Sequence, residues 1–376
     1  MKQINAGSLI LCKRALILYN KRMGGDLSPA EGGKPVMKAV AIEKAVGQVL
    51  GQDLTQIVPG EFKETVFRKG HIVQEEDIPQ LLQMGKHSVY IYELDTDGLH
   101  ENDAAAAIAA EIAGSGVYCG EAKEGRVNIF ATKSGLLKIN VDSLYAANSL
   151  KEIAIATIHN NTVVEENDLL AAVKIIPLVV PKAKLDGIKI HAESSGAIVE
   201  VKDLQPMATS VIVTGNEVYL GRIRDGFTPV IEAKMQRFGC RIISRDYLPD
   251  DVAKISAAIM NARDAGAEMI LVTGGMAVDP DDVTPAAIMH AGGRLVAYGT
   301  PLMPGAMFML AYLDDLPIMG LPGCVMYHKS TIFDLMLPRI LAGEDVRFEE
   351  IVALSHGGLC LICPECTYPK CHFGKA

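Results

Sequence analysis

The sequence predicts an α/β fold for its second half, a parallel (mixed) sheet flanked by helices, behind a separate N-terminal half of α+β, β-rich character. Three observations carry this reading. From Met207 onward, short apolar runs alternate with segments of helical periodicity. Two of those runs, Ser210–Thr214 and Met269–Thr273, carry no charge and are mostly apolar, as strands covered on both faces require. Each is followed within a few residues by glycine and then a helical pattern, the arrangement of β–α–β units in a parallel sheet.

Taken in order, residues 1–36 carry Gly24-Gly25 and Gly32-Gly33 without sustained periodicity, and read as a loose extension. Regular patterning opens at Met37, which makes Met37 rather than Met1 the expected natural start. Residues 37–205 form the N-terminal region. Val89–Tyr92 and Ile175–Val180 read as strands, and Asn102–Ala113 as an Ala-rich helix with Asn102 as its N-cap and Gly114 past its end. In residues 206–345, Ile231, Met235 and Phe238 mark a helix ended by Gly239, and Arg241–Ile243 a second strand. Val252, Ile255 and Ile259 mark a helix started by Asp250 or Asp251, and Pro285–His290 a third. Residues 346–376 form a Cys-rich tail.

Composition narrows the function classes. With 376 residues, 49% apolar and 22% charged, the chain is an ordinary globular one long enough for two or three domains. A net charge of −9 gives no electrostatic support for nucleic-acid or membrane-surface binding, and with 5% aromatics and no Trp there is no base-stacking run. No apolar stretch reaches the ~18 residues of a membrane span. Leu9–Leu18 is broken by Lys13 and Arg14 and has no small-residue cleavage site after it, so a cytoplasmic protein is expected.

The chemistry sits at the strand exits, Thr214-Gly215-Asn216-Glu217 and Thr273-Gly274-Gly275. Glycine between a strand and a helix permits positive φ and close approach of backbone N–H groups to an anion. Neither turn has dinucleotide-binding or P-loop spacing. Carboxylates crowd both: Glu217 and Asp225 after the first, Asp279, Asp281 and Asp282 after the second. A cation such as Mg²⁺ bridging carboxylate and phosphate reconciles them with an anionic ligand. The alternative is that Asp281 and Asp282 cap the helix beginning near Thr284-Pro285.

Thr273-Gly274-Gly275 with Pro280-Asp281-Asp282-Val283-Thr284-Pro285 resembles the signature of the molybdopterin-binding fold, shared by molybdopterin adenylyltransferases, molybdopterin molybdenumtransferases and competence-damage-inducible proteins. Val213–Val218 with Gly221–Asp225 resembles that family's first motif, and Met303-Pro304-Gly305 and Gly320-Leu321-Pro322-Gly323 its later loops. The separate N-terminal half makes the molybdenumtransferase branch the most similar. The resemblance implies Mg²⁺-dependent insertion of molybdate into adenylated molybdopterin with release of AMP, by a homodimer that meets other molybdenum-cofactor proteins. It implies catalytic roles for Asp225 and Asp282. Cofactor binding would fall to Thr214, Gly215, Asn216, Glu217, Gly274, Gly275, Asp281 and Thr284, with Pro304, Gly305, Pro322 and Gly323 as the opposite wall. The chain departs from the family where Asn216 replaces an Asp, where Met276-Ala277-Val278 replaces small residues, and where Pro59–Lys63 lacks a Ser-x-x-Asp-Gly-Tyr-like segment. Asn216 and the missing N-terminal segment keep a non-enzymatic molybdopterin-binding or sensing protein in view, and the fit of Pro280-Asp281-Asp282-Val283-Thr284 to the competence-damage-inducible proteins keeps a nucleotide pyrophosphatase resembling them.

Cys360, Cys363, Cys366 and Cys371 follow a C-x₂-C-x₂-C-x₄-C pattern. Four thiolates in so short a stretch can surround Zn²⁺ or hold an Fe–S cluster; redox-active or unligated thiols are the alternative. Cys240 and Cys324 read as small core residues, and His71, His87 and His100 as solvated.

Overall fold

The structure, a computed structural model, describes residues 37–58, 60, 62–92, 98–277 and 279–375. The extension expected over 1–36, the choice between Met1 and Met37, and the sequence departures at Pro59, Glu61 and Val278 lie outside the described residues. The chain divides into two compact units at Asp97/Gly98, inside the stretch 37–205 that reads from sequence as one region.

In the first unit, strand Met37–Ala41 pairs antiparallel with Ser88–Tyr92, and Leu54–Val58 forms a hairpin with Phe62–Phe67. Ile42, Leu50, Leu54, Leu81 and Val89 fill its core. His71 is not simply solvated: its Nε2 lies 2.6 Å from Asp77 Oδ2.

The second unit begins with an antiparallel sheet of strands 117–119, 126–131, 169–175 and 153–157, in that order. Against it lies the expected Ala-rich helix, Glu101–Ile112, burying Ala104, Ala105, Ile108, Ala109 and Ile112. Its cap is His100, whose Nδ1 accepts the Asn102 amide, while the Asn102 side chain is drawn away to the Gly125 amide at 2.6 Å. His100 is thus a buried cap rather than a solvated histidine.

From Ala208 the unit is α/β. Strand β1 (Ala208–Thr214) leads to helix α1 (Phe227–Gln236), β2 (Arg241–Leu248), α2 (Val252–Asp264), β3 (Met269–Thr273) and α3 (Thr284–His290). Strands β4 (Arg294–Tyr298), β5 (Met309–Leu313) and β6 (Leu316–Leu321) and helices α4 (Ile332–Leu341) and α5 (Phe348–Ala353) follow. The six strands lie in the order β2-β1-β3-β6-β5-β4, parallel from β2 to β6 and antiparallel across β5 and β4. Every residue of β1, β3 and β5 is buried, which explains why they carry no charged residue. Helices cover both faces, and Asp251, not Asp250, caps α2 through the Lys254 amide.

A buried ion group ties the two parts of this unit together. Arg339 on α4, 3% exposed, donates to Glu344 Oε2 at 2.8 Å and Glu350 Oε1 at 2.9 Å. Lys138, from the strand Gly135–Ile139, completes the pairing at Glu344 Oε1. Burial opposes ionisation of Glu344, but Lys138 and Arg339 overcome it and hold the carboxyl below its ordinary value.

Candidate functional site

The chain leaves β1 in one direction to form β2, then crosses back to lay β3 on the other side of β1. That reversal is a topological switch point, where parallel sheets bind ligands beyond the carboxyl ends of their strands. Register places the expected loops side by side there: Val213 pairs with Thr273, and Thr273 with Leu321. The turns after Thr214, Thr273 and Leu321 therefore share one end of the sheet.

Three threonines fasten the first two turns. Thr214 Oγ1 donates to the Thr273 carbonyl at 3.1 Å, which leaves Thr284 to donate to Thr214 Oγ1 at 3.0 Å. The Thr284 amide donates to the Gly275 carbonyl at 3.3 Å. Gly274 has to be glycine: its φ is +84°, and a Cβ there would stand 2.2 Å from the Thr214 carbonyl oxygen. The hydroxyl protons of Thr214 and Thr284 are spent inside this staple, so these residues shape the turns. Among the described residues, two buried side-chain polar atoms lack a partner, Thr228 Oγ1 and Thr273 Oγ1. Both belong to this end of the sheet, Thr273 as the last residue of β3 and Thr228 at the start of α1. Buried orphan groups are rare and need an explanation.

The acidic residues are placed differently from one another. Asp225 Oδ1 accepts the amides of Phe227 at 2.8 Å and Thr228 at 3.1 Å, and Tyr247 donates its hydroxyl to Oδ2 at 3.1 Å. Asp225 thus satisfies orphan donors at the start of α1. The Asn216 amide donates to Asp250 Oδ2 at 2.9 Å, and the Glu217 carboxylate folds back over Gly215. Asp281 and Asp282 do not cap α3, whose N-cap is Val283. Instead Asp282 Oδ2 accepts the Asp279 amide at 3.0 Å and closes the turn ahead of the helix. Asp281 is exposed and Asp282 half-buried. Tyr298 reaches over from β4, its hydroxyl 3.1 Å from the Ala277 carbonyl; burial and then the charge of Asp282 push its phenol up, keeping it a donor.

Pro322 is buried and Gly323 exposed, and the helical turn Cys324–Tyr327 that follows packs on α1 beside Gly226. Pro304-Gly305 lies against the first residue of α4, where a Cβ on Gly305 would come within 2.6 Å of Ile332 Cγ2.

Residues 210–342 match the family described as "Probable molybdopterin binding domain". Residues 210–342 are thus similar to molybdopterin-binding domains. Residues 39–93 match a domain of unknown function. The chain is similar to a molybdopterin molybdenumtransferase of Haemophilus influenzae, 26% identical over 42% of this chain and 40% of that protein. A second molybdenumtransferase, from Synechococcus elongatus, is 24% identical over 37% of this chain and 36% of that protein. The chain thus matches about two fifths of the length of these relatives. A CinA-like protein of Desulfosudis oleivorans is 34% identical over 23% of this chain and 21% of that protein. Among solved structures, a molybdopterin biosynthesis enzyme MoaB from a Thermus species aligns with 37% of this chain and 98% of its own at 16% identity and a TM-score of 0.31.

The structure does not gather the metal centre expected in the tail. Among the described residues, no three His, Cys, Asp or Glu side chains converge on a point that could hold a metal ion. Cys360 and Cys371 pack partly against the core, whereas Cys363 and Cys366 are exposed, so the four thiols separate instead of surrounding Zn²⁺ or an Fe–S cluster. The same finding bears on Mg²⁺. A site for it here would use one or two carboxylates and ligand phosphates, as Mg²⁺ commonly does. The half-buried Asp282 fits that use better than Asp225, whose two oxygens already accept three donors.

Sequence reasoning missed Thr228, Tyr247, Asp250 and Tyr298. None carries a local signal, because each reaches the site from a different element. No helix among the described residues is long and apolar enough to cross a membrane.

Proposed function

We propose that the molybdopterin-binding-family domain binds molybdopterin at the β1–β3 switch point and that the chain inserts molybdate into its adenylated form, releasing AMP. The observation that carries this reading is the stapled pair of Thr-Gly turns with two orphaned hydroxyls beside them. The strand-exit glycines Gly215, Gly274 and Gly275 leave backbone room for an anionic phosphate. Mg²⁺ held by Asp282 and phosphate oxygens would neutralise charge developing on the departing AMP. Asp225 acts by fixing the start of α1, Asp281 lies on the open side of the acidic turn, and Pro304-Gly305 and Pro322-Gly323 shape the walls. The molybdenumtransferase relatives support this choice of reaction.

A second reading, a protein that binds the pterin without turning it over, is favoured by Asn216 and Asp250. Where the family carries an acidic residue, Asn216 Oδ1 faces the Asp250 amide at 3.4 Å and the Asn216 amide is tied to the Asp250 carboxylate. The test is AMP release from adenylated molybdopterin with Mg²⁺, with and without molybdate. Molybdate-dependent release that is lost in Asp282→Asn supports insertion. Release without molybdate would replace it with a pyrophosphatase, and tight binding without release with the binding protein.

A further inference from the structure

We propose that Cys363 and Cys366 form a thiol–disulfide exchange site on the tail, whose reaction partner is a small-molecule disulfide of the oxidised-glutathione class. The tail is a built part of the domain. The Cys360 amide donates to the Met303 carbonyl and the Met303 amide to the Gly358 carbonyl, both at 2.8 Å. The Tyr368 hydroxyl donates to the Asp334 carbonyl at 3.1 Å, His372 Nε2 lies 3.0 Å from the Leu359 carbonyl, and Phe373 is 1% exposed. These contacts pin the two ends of a loop and draw Cys360 and Cys371 against the core. The middle of the loop, Leu361–Thr367, is exposed throughout and presents Cys363-Pro364-Glu365-Cys366 to solvent.

Three features make this pair chemically distinct. The C-x-x-C spacing is short enough for the Cβ approach of about 3.5–4.5 Å that a disulfide needs. Ile362, immediately before Cys363, is held at φ +51°, a region that β-branched residues rarely occupy, so the loop stores strain next to the thiol. Cys366 Sγ lies 3.5 Å from the hydroxyl of Ser330, a buried residue at the foot of α4 that positions it.

The exchange balances without metal or protein cofactor. The Cys366 thiolate attacks one sulfur of the disulfide RS–SR, forming a Cys366–SR bond and expelling RS⁻, which takes up a proton. The Cys363 thiolate then attacks the Cys366 sulfur, forming the Cys363–Cys366 bond and expelling the second RS⁻. The protein dithiol is oxidised by two electrons, and one disulfide is reduced to two thiols.

The test uses the reduced full chain, incubated with oxidised glutathione, alkylated and mapped by peptide mass. The expected result is loss of alkylation at Cys363 and Cys366 only, with a bridge between them, while Cys363→Ser traps glutathione on Cys366. Melting temperatures of the reduced wild type and of Cys363→Ser should agree, which separates chemistry from folding. Full alkylation of both cysteines after glutathione treatment would overturn the proposal. So would joint protection of all four tail cysteines by one equivalent of bound zinc or iron.

Discussion

The carboxyl end of the sheet and the Cys-rich tail both announce themselves in the sequence by short spaced motifs, yet only in the first does the fold bring the motif's turns side by side. The Thr-Gly turns work through backbone: a left-handed residue, a missing Cβ and a hydroxyl at a strand end are local properties that survive translation from sequence to structure. The tail motif asked four side chains to converge on one point. Convergence depends on where the loop is pinned, and the tail is pinned by Cys360, Tyr368 and Phe373, which pull two of the four thiols inward.

That contrast can be broken in a graded way. The largest effect is expected at Phe373→Ala. If the tail is structural, the lost burial and residual cavity cost about 3–5 kcal/mol in chemical denaturation; a change under about 1 kcal/mol would mean the tail is dispensable packing. Gly274→Ala comes next. Its left-handed conformation costs about 1–2 kcal/mol and its overlap with the Thr214 carbonyl about 1–3 more, and pterin affinity should fall with stability in the same protein. Thr214→Val is milder, losing about 1–3 kcal/mol because a donor to Thr273 is replaced by a methyl group. Unchanged pterin binding in that variant would show that the staple is not needed to shape the turns.

The smallest effect concerns acid stability. Because Glu344 titrates below its ordinary carboxylate value in the folded state, its contribution is fully present above that ordinary value and is lost as pH falls through the depressed one. Glu344→Gln should therefore lower the melting temperature at pH 7 and flatten its decline as the pH falls below the ordinary carboxylate value of 4.5. A parallel decline in both proteins would remove Glu344 from the acid response.

Much of the α/β half was legible because its strands are buried on both faces and its helices amphipathic. Strand β3 falls on the residues its apolar run delimits, and β1 extends its run by two residues at the N-terminal end. Capping was less legible. Asn102, Asp281 and Asp282 are all capping types in plausible positions, but none caps its helix: the Asn102 side chain accepts the Gly125 amide, Asp282 closes the turn at Asp279, and Asp281 is exposed. The division at Asp97/Gly98 has no compositional marker, since both sides bury similar aliphatic cores. Tyr247 and Tyr298 were invisible because a tyrosine near a strand end reads as ordinary β composition until the sheet order is known.

The Arg339 ion group also governs where this chain can be cut. A fragment beginning at 206 would keep Glu344 and Arg339 but lose Lys138 and the aliphatic wall behind it. Residues 98–205 therefore supply a charge partner to the α/β half of the same unit. Transplanting residues 206–345 onto another scaffold would call for a replacement cation at the Lys138 position before any change at the ligand end.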